Sequence, residues 1–350
     1  MSNKARLIAF YLPQFHPIPE NDKAWGKGFT EWTNVAKAHP VFPGHVQPKL
    51  PADLGFYDLR VEETRIQQAE LARAHGIEGF CYWHYWLGNG RRLLERPFQE
   101  VLESGKPDFP FCLGWANHSW EGKGWMGGGD LSIKQEYPGE EDAQAHFEFL
   151  LKAFRDPRYM RIDGKPILVV YRPNEVPKPY YYFRFWRQLA ERAGLPGLFI
   201  IGDTPAKRNS DWGLDGSMYS GQRHLPAEVW DKPTQWDRLH GKVVKKVPYR
   251  KVMRHLLKPG GYDDGDYPVI IPNWDTTPRL GNDAMIFYDN DPVLFQLHVR
   301  QTLEAVRGRK AEHNLVFVRA WNEWAEGNYL EPDTEFGLAM LEALKHEVES

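Results

Sequence analysis

The stretch VFVRAWNEWAEGNYLEP, residues 316–332, joins a predicted strand to a pair of acidic side chains. Residues 315–320 form an apolar run with β-branched and aromatic side chains, which predicts a short buried strand. Glu323 and Glu326 follow it, three residues apart and flanked by tryptophans. If the chain turns helically there, both carboxylates lie on one face, with Cβ atoms about 5–6 Å apart. Paired carboxylates at about that distance are typical of a retaining glycosidase, although a solvated loop with two surface glutamates fits the same spacing.

The rest of the chain repeats the same unit, a buried strand that ends in polar residues. Eight strands are predicted, at residues 6–11, 77–83, 109–115, 167–171, 198–202, 216–219, 269–272 and 315–320. Helices are predicted between most of them, including 61–75, 93–104, 180–193, 249–257 and 335–348, and another begins with Asp291 as its N-cap and Pro292. This alternation favours a parallel sheet, and eight units fit an α/β fold, a (β/α)8 TIM barrel with a single domain over residues 1–350. A doubly wound sheet is the alternative, but no glycine fingerprint follows the first strand.

Composition excludes several classes of partner. The net charge of −3 gives no electrostatic case for binding nucleic acid or an anionic membrane surface. The 14 tryptophans suit a sugar-binding cleft, where a ring stacks on the C–H face of a sugar and its polar edge forms hydrogen bonds. An oligosaccharide or polysaccharide is therefore the expected partner, and no cofactor is expected.

Cysteines and apolar runs bear on the cellular location. Cys81 and Cys112 both fall in predicted strands, which predicts buried reduced thiols, with a disulfide between neighbouring strands as the alternative. The apolar run at residues 7–12 is too short for a signal-peptide core, and no apolar stretch approaches the length of a transmembrane helix. We expect a cytoplasmic protein.

A TIM barrel carries its active site at the carboxyl ends of the strands. The predicted substrate-binding residues at or near these ends are Tyr11, His16, His84, Tyr85, Trp115, Asn117, Tyr171, Asp203, Trp274, Asp275, Asn322 and Trp324. A long loop follows strand 1, and loops of this length are usually functional. If it folds over the barrel mouth, Glu31 and Trp32 join the site. The competing interpretation is that these side chains cap helices or stabilise the loop.

Six motifs carry a resemblance to a known family. They are IAFYLPQFHPIPEND at 8–22, GKGFTEWTNV at 26–35, GFCYWHYW at 79–86, LGWANHSW at 113–120, DPRYMRIDGKPILVVYRP at 156–173 and AWNEWAEGNYLEPD at 320–333. Together they resemble WbsX-type proteins of bacterial surface-polysaccharide gene clusters, which are similar to the endo-α-mannosidases of glycoside hydrolase family 99. The resemblance spans nearly the whole chain and implies a TIM barrel that acts on carbohydrate.

The resemblance also implies catalytic roles. The family pattern N-E-W-H-E stands here as residues 322–326, with Ala325 where the mannosidases have histidine. It implies that Glu323 removes the proton of a sugar 2-hydroxyl, which closes on C1 to give a 1,2-anhydro sugar. Glu326 then acts as the general acid for the leaving oxygen and as the base for the incoming one. A 2-hydroxyl trans to the leaving group is required, as in α-mannose or α-rhamnose, and Glu326 should have a raised pKa. The departure at Ala325 affects the expected substrate more than the reaction.

Other motifs favour simpler interpretations. The spacings of His16, His84 and His118 fit no metal motif, so no metal is predicted. Residues 264–266 read Asp-Gly-Asp, like the D-x-D of metal-dependent glycosyltransferases, but a turn rich in Gly and Asp gives this by chance. Residues 127–129 are three glycines without the Lys-Ser/Thr of a phosphate-binding loop. Two rivals to a glycoside hydrolase stay open: a glycosyltransferase or transglycosylase of surface polysaccharide (O-antigen) biosynthesis, and a non-catalytic sugar-binding barrel with both glutamates exposed and apart.

Overall fold

Eight parallel strands close into a barrel. The computed structural model describes residues 4–121, 132–203, 209–239 and 244–350, so the glycines at 127–129 lie outside the described residues. The barrel strands are β1 (Arg6–Tyr11), β2 (Gly79–Trp86), β3 (Phe111–Trp115), β4 (Lys165–Val170), β5 (Phe199–Gly202), β6 (Gly216–Tyr219), β7 (Asp266–Ile270) and β8 (Leu315–Val318). Each strand pairs with its sequence neighbours, and β1 pairs with both β2 and β8, which closes the sheet. The predicted (β/α)8 TIM barrel is confirmed.

Helices surround the barrel and fill the connections. They are α1 (Pro19–Trp25), α2 (Glu31–Lys37), α3 (Glu62–Ala74), α4 (Arg96–Ser104), α5 (Glu140–Phe154), α6 (Pro179–Arg192), α7 (Gln235–Leu239), α8 (Tyr249–Val252), α9 (Thr277–Leu280), α10 (Pro292–Ala305) and α11 (Ala339–Glu349). Between β5 and β6 the described residues form only a 3-10 turn, Asn209–Trp212. Asp291 caps α10 as predicted, because its side chain accepts the N–H of Leu294 at 2.8 Å.

Most predicted strands and helices differ from the structure by a few residues at one or both ends, and three of the differences have identifiable reasons. Strand β2 continues past residue 83 because His84 still pairs with Trp115 in the parallel ladder. The last helix starts after residue 335 because the Asp333 carboxylate accepts the N–H groups of Glu335 and Phe336 and holds them in a turn. The long connection after β1, predicted to lack regular structure, contains α1 and α2.

The interior of the barrel is apolar and continuous with the helix layer. Cys81 and Cys112 are neighbours in the β2–β3 register and are buried free thiols, which confirms the prediction of buried reduced thiols.

In the described ranges, no helix combines the length and the apolar character needed to cross a membrane.

Candidate active site

A cavity opens at the carboxyl ends of the barrel strands. Its volume is about 180 Å³. Sites for drug-sized ligands have volumes of about 300–1,000 Å³, so this cavity suits one small ring. Among the described residues, those that line it come from the ends of strands β1–β4 and β6–β8 and from the segments after them. They are Phe10, Leu12, Gln14, Trp83, Tyr85, Ala116, His118, Tyr171, Arg223, Trp274, Arg279, Arg319, Ala320, Glu323, Glu326 and Asn328.

The segment after β8 presents two carboxylates to this cavity. Glu323 precedes a 3-10 turn, Trp324–Glu326, and the N–H of Glu326 donates to the carbonyl of Glu323 at 3.2 Å. Gly327 ends the turn with φ +65°, and a side chain there would meet the backbone of Asp275 at 2.8 Å. The tight turn puts both acidic side chains on one wall, where 12% of the Glu323 side chain and 21% of the Glu326 side chain is exposed.

One buried arginine binds three carboxylates at this wall. Nη2 of Arg279 donates to Glu31 Oε1 at 2.8 Å and to Glu323 Oε2 at 3.2 Å, and Nη1 donates to Glu326 Oε1. The three acids come from the loop after β1 and the segment after β8, while the arginine lies on α9 after β7. Arg279 therefore joins the two ends of the chain within the site.

Glu31 lies behind Arg279 and does not face the cavity. It is fully buried, and Oε1 also accepts the N–H of Ala325 at 3.0 Å while Gln14 Nε2 contacts Oε2 at 3.4 Å. The sequence placed it among the substrate-binding residues. In the structure its three donors are all protein groups, so its role is to hold Arg279 and the turn after β8.

The four charged groups cannot all be ionised without cost. Three carboxylates against one guanidinium leave a net charge of −2 in a buried site. Burial and the neighbouring Glu326 charge raise the pKa of Glu323 to about 8, against the opposing effect of Arg279. Burial also raises the pKa of Glu31, although Arg279 lowers it. A raised pKa was expected at Glu326; the carboxyl whose pKa these effects raise is Glu323, and they favour its protonated form at neutral pH.

Comparison with known proteins identifies the family. The family described as "Glycosyltransferase WbsX" matches residues 7–344. The chain belongs to the WbsX family. The curated protein WxcX of Xanthomonas campestris pv. campestris, described as uncharacterized, is 37% identical to the WbsX chain over 354 residues, which cover 97% of this chain and 49% of that protein. The chain thus spans about half the length of the curated relatives it matches.

Two solved structures share the barrel of this WbsX chain. A glycoside hydrolase-like protein has a TM-score of 0.62 at 15% identity, over 99% of this chain and 94% of that one. The GH99 endo-alpha-mannosidase from Bacteroides thetaiotaomicron has a TM-score of 0.58 at 15% identity, over 98% of this chain and 96% of that one. At this identity the likeness shows a common fold.

Strand alternation decides which predicted residues of the WbsX chain reach the cavity. Successive side chains of a strand point to opposite faces, so neighbours diverge. Tyr85 and Trp83 line the cavity, whereas His84 between them points to the helix layer and contacts His146 at 2.9 Å. Tyr171 and Trp274 also line the cavity.

Three further predicted residues point into the helix layer or the loop. Tyr11 donates to Gln68 of α3 at 2.5 Å, and Trp115 donates to the carbonyl of Trp86 at 3.0 Å. His16 is buried and does not line the cavity, and burial lowers its pKa. Tyr11 and Trp115 are the last residues of their strands and His16 follows β1, but all three face away from the cavity.

The remaining predicted residues support the walls of the site. Asn322 bonds both backbone groups of Leu12 at 2.7 and 3.0 Å, and Trp324 donates to the buried Glu331 at 2.7 Å. The other four are buried and form hydrogen bonds with protein groups. Asp275 binds His45, Gln47 and the N–H of Thr277, and Asn117 binds the backbone of Arg172. Trp32 donates to the carbonyl of Tyr57, and Asp203 binds Arg223 and Arg319.

Sequence reasoning missed the three cavity arginines, Arg223, Arg279 and Arg319. Arg319 lies within the stretch 316–332, but no pattern in the sequence marks any of the three as a cavity residue. One signal was available, because three glutamates predicted for one pocket require a buried cation to offset them. The described residues contain no cluster of three or more His, Cys, Asp or Glu that could hold a metal ion. The Asp-Gly-Asp turn lies at the amino end of β7, where Asp266 binds Lys258, far from the strand ends that form the cavity.

The charge arrangement predicts that Arg279→Met destabilises the protein by about 3–5 kcal/mol, because it leaves buried carboxylates without their cation. Without Arg279 the pKa values of Glu31 and Glu323 rise further above those of the unfolded chain, so stability falls as pH rises through them. The defect should therefore be larger at neutral than at acid pH in urea unfolding. Arg172→Met is the control, since its ion pair with Glu175 is at the surface and contributes under about 1 kcal/mol. Equal losses for the two variants, or a loss independent of pH, would contradict this arrangement.

Proposed function

We propose that the chain is a carbohydrate-active enzyme that acts on α-linked residues of manno or rhamno configuration in a bacterial polysaccharide. The observation that carries the proposal is the pair Glu323 and Glu326, on one rigid turn, facing a ring-sized cavity and bound to a common arginine. The description of the WbsX family and the fold shared with a GH99 endo-alpha-mannosidase support it.

The proposed reaction has two steps through a 1,2-anhydro sugar. Glu323 takes the proton of the 2-hydroxyl, O2 attacks C1 from the face opposite the leaving group, and the C1–O bond breaks as Glu326 donates a proton to the departing oxygen. An incoming hydroxyl then loses its proton to Glu326 and attacks C1, and O2 recovers its proton from Glu323. The anomeric configuration is retained, and both carboxyls return to their starting state.

The reaction needs one proton on the pair, carried by Glu326 and not by Glu323. Since burial and the Glu326 charge raise the pKa of Glu323 to about 8, the resting site at neutral pH favours the proton on Glu323, where it blocks the base. Arg279 bonds to both carboxyls, so it stabilises whichever of the two is ionised as the proton moves to Glu326.

The same site serves hydrolysis and transfer, which differ only in the acceptor hydroxyl. Water as acceptor gives a glycoside hydrolase, and a sugar hydroxyl gives a transglycosylase or glycosyltransferase for surface-polysaccharide assembly. The family description favours transfer. A metal-bound nucleotide site built on the Asp-Gly-Asp turn is not supported, because that turn lies at the amino end of β7. A cytoplasmic enzyme would suit the assembly role.

A non-catalytic sugar-binding barrel finds less support. It requires exposed glutamates that stand apart, whereas Glu323 and Glu326 share Arg279 and are mostly buried. Buried acids with coupled charges are costly to the fold, which favours a catalytic reason for them.

We predict that Glu323→Gln and Glu326→Gln each lower turnover of α-mannosyl or α-rhamnosyl oligosaccharides by about 10²–10⁴-fold, because each removes a proton-transfer group. Products are identified by mass spectrometry with and without an added acceptor sugar, which separates hydrolysis from transfer. Glu175→Gln serves as the matched control, since Glu175 is on the surface and paired with Arg172. Undiminished turnover in either site variant would reject the catalytic assignment.

The pH dependence of kcat/KM tests whether the glutamate pair must hold one proton. The proposed reaction needs Glu323 ionised and Glu326 protonated, so kcat/KM should fall as pH rises through about 8, where the last proton leaves the pair. A kcat/KM that rises through pH 8 and then levels off would show that no protonated glutamate is needed and would contradict the role of Glu326 as the acid.

A further inference from the structure

A second group of charges borders the same cavity. Arg223 and Arg319 both line it, and both bind the buried Asp203 at the end of β5. Nη1 of Arg223 donates to the backbone carbonyl of Asp203 at 2.6 Å. Nη2 is farther from the Asp203 carboxylate, 3.4 Å from Oδ2. Arg319 Nη2 makes the closer bond to the same oxygen. The Asp203 carboxylate is thus bound mainly to Arg319.

This group has a positive balance among the described residues. Two guanidinium groups face one carboxylate, a net charge of +1, while the group around Arg279 has a net charge of −2 when its acids are ionised. The cavity therefore has a basic part and an acidic part. The two groups together carry −1 with every acid ionised and are neutral when Glu323 is protonated, so an anionic ligand would bind at the basic part, beside Arg223.

Arg223 is placed to bind a ligand. Its side chain is 30% exposed where it lines the cavity, and its guanidinium lies 5.2 Å from the centre of the Tyr171 ring, which also lines the cavity. Stacking on the aromatic ring fixes the plane of the guanidinium. Asp203 takes one N–H group of Nη1 and one of Nη2, so a ligand would be bound by the remaining N–H groups of the fork. A fixed guanidinium edge matches the paired oxygens of a carboxylate or phosphate.

We propose that Arg223, assisted by Arg319, binds an oxyanion carried by the sugar at Glu323 and Glu326, so that the substrate is an acidic glycan or a glycosyl phosphate. The inference rests on the proposed carbohydrate function and names its substrate class. Arg223 and Glu326 line the same cavity of about 180 Å³, so an oxyanion bound by Arg223 would be close to the reacting carbon.

The two sources of oxyanion have different consequences for the reaction. A carboxylate on the sugar ring remains on the product and selects an acidic polysaccharide. A phosphate on the anomeric oxygen is itself the leaving group: the C1–O bond breaks, Glu326 donates a proton to the departing oxygen, and hydrogen phosphate leaves, stabilised by Arg223. The 2-hydroxyl proton still passes to Glu323. The acceptor hydroxyl then loses its proton to Glu326 and attacks C1, and O2 recovers its proton from Glu323 as the anhydro ring opens.

Equilibrium binding tests the inference apart from catalysis. Ligand-observed NMR titrations compare methyl α-D-mannopyranoside with methyl α-D-mannopyranosiduronate and α-D-mannose 1-phosphate, at low and at high salt. We expect at least one anionic probe to bind about tenfold or more tightly than the neutral one, since a hydrogen bond to a charged group adds that much. The preference should shrink at high salt, and the better anionic probe identifies the source of the oxyanion.

Two variants of Arg223 and one matched control assign the effect. Arg223→Met should abolish the preference with little change in neutral-sugar affinity, and Arg223→Lys should keep part of it, because it retains the charge without the paired donors. Arg172→Met removes a guanidinium that lies over the same Tyr171 ring, at 5.3 Å, but does not line the cavity, so it should keep the preference. Thermal unfolding confirms that each variant is folded.

The outcomes separate this inference from the proposed function. Equal affinity for neutral and anionic probes, or an anion preference unchanged in Arg223→Met, would overturn the inference and leave the glutamate pair as the catalytic group. Binding of no probe would overturn both, because the cavity would then not be a sugar site.

Discussion

The ion cluster of Arg279 with Glu31, Glu323 and Glu326 is the interaction on which the site depends. Ion pairs in a buried site offset the cost of dehydration only when geometry and hydrogen bonding are good. Here one guanidinium faces three acids, so the cluster retains excess negative charge and favours a bound proton. A site that must both accept and donate protons needs one carboxyl protonated and another ionised, and an excess of acids around one cation favours this state.

The barrel makes this cluster possible because it brings distant parts of the chain to one rim. Asn322 bonds the backbone of Leu12, which joins the ends of β8 and β1, and the N–H of Asp275 donates to the carbonyl of Glu326 at 2.8 Å, which joins the segment after β7. Beneath them, Glu331 accepts hydrogen bonds from Tyr57, Gln68 and Trp324. The acidic turn is therefore held from several sides, and its carboxylates need little reorganisation during a reaction.

The sequence predicted the barrel and the acidic turn because both follow from local patterns. Apolar runs at regular intervals marked all eight strands, and the spacing of Glu323 and Glu326 marked the turn. The sequence did not predict which face of the sheet each side chain points to, because neighbouring residues of a strand point to opposite faces. Tyr85 reaches the cavity, whereas His84 does not. Arg279, Arg223 and Arg319 were missed because their roles arise only when segments far apart in sequence meet. The sequence predicted that the loop carrying Glu31 reaches the site, but the contacts of Glu31 to Arg279 and Ala325 depend on the fold.

The central claim is that the acidic cluster holds a proton at neutral pH, on Glu323. A direct test is a ¹³C NMR titration of the protein labelled at the glutamate side-chain carboxyls, compared with Glu323→Gln to assign the signal. The account predicts one carboxyl that titrates near pH 8 and is lost in the variant. Burial also raises the pKa of Glu331 to about 7, and its signal is the one that this variant keeps. If the signal lost in Glu323→Gln titrates in the ordinary range of about 4–5, the cluster holds no such proton and the account is wrong.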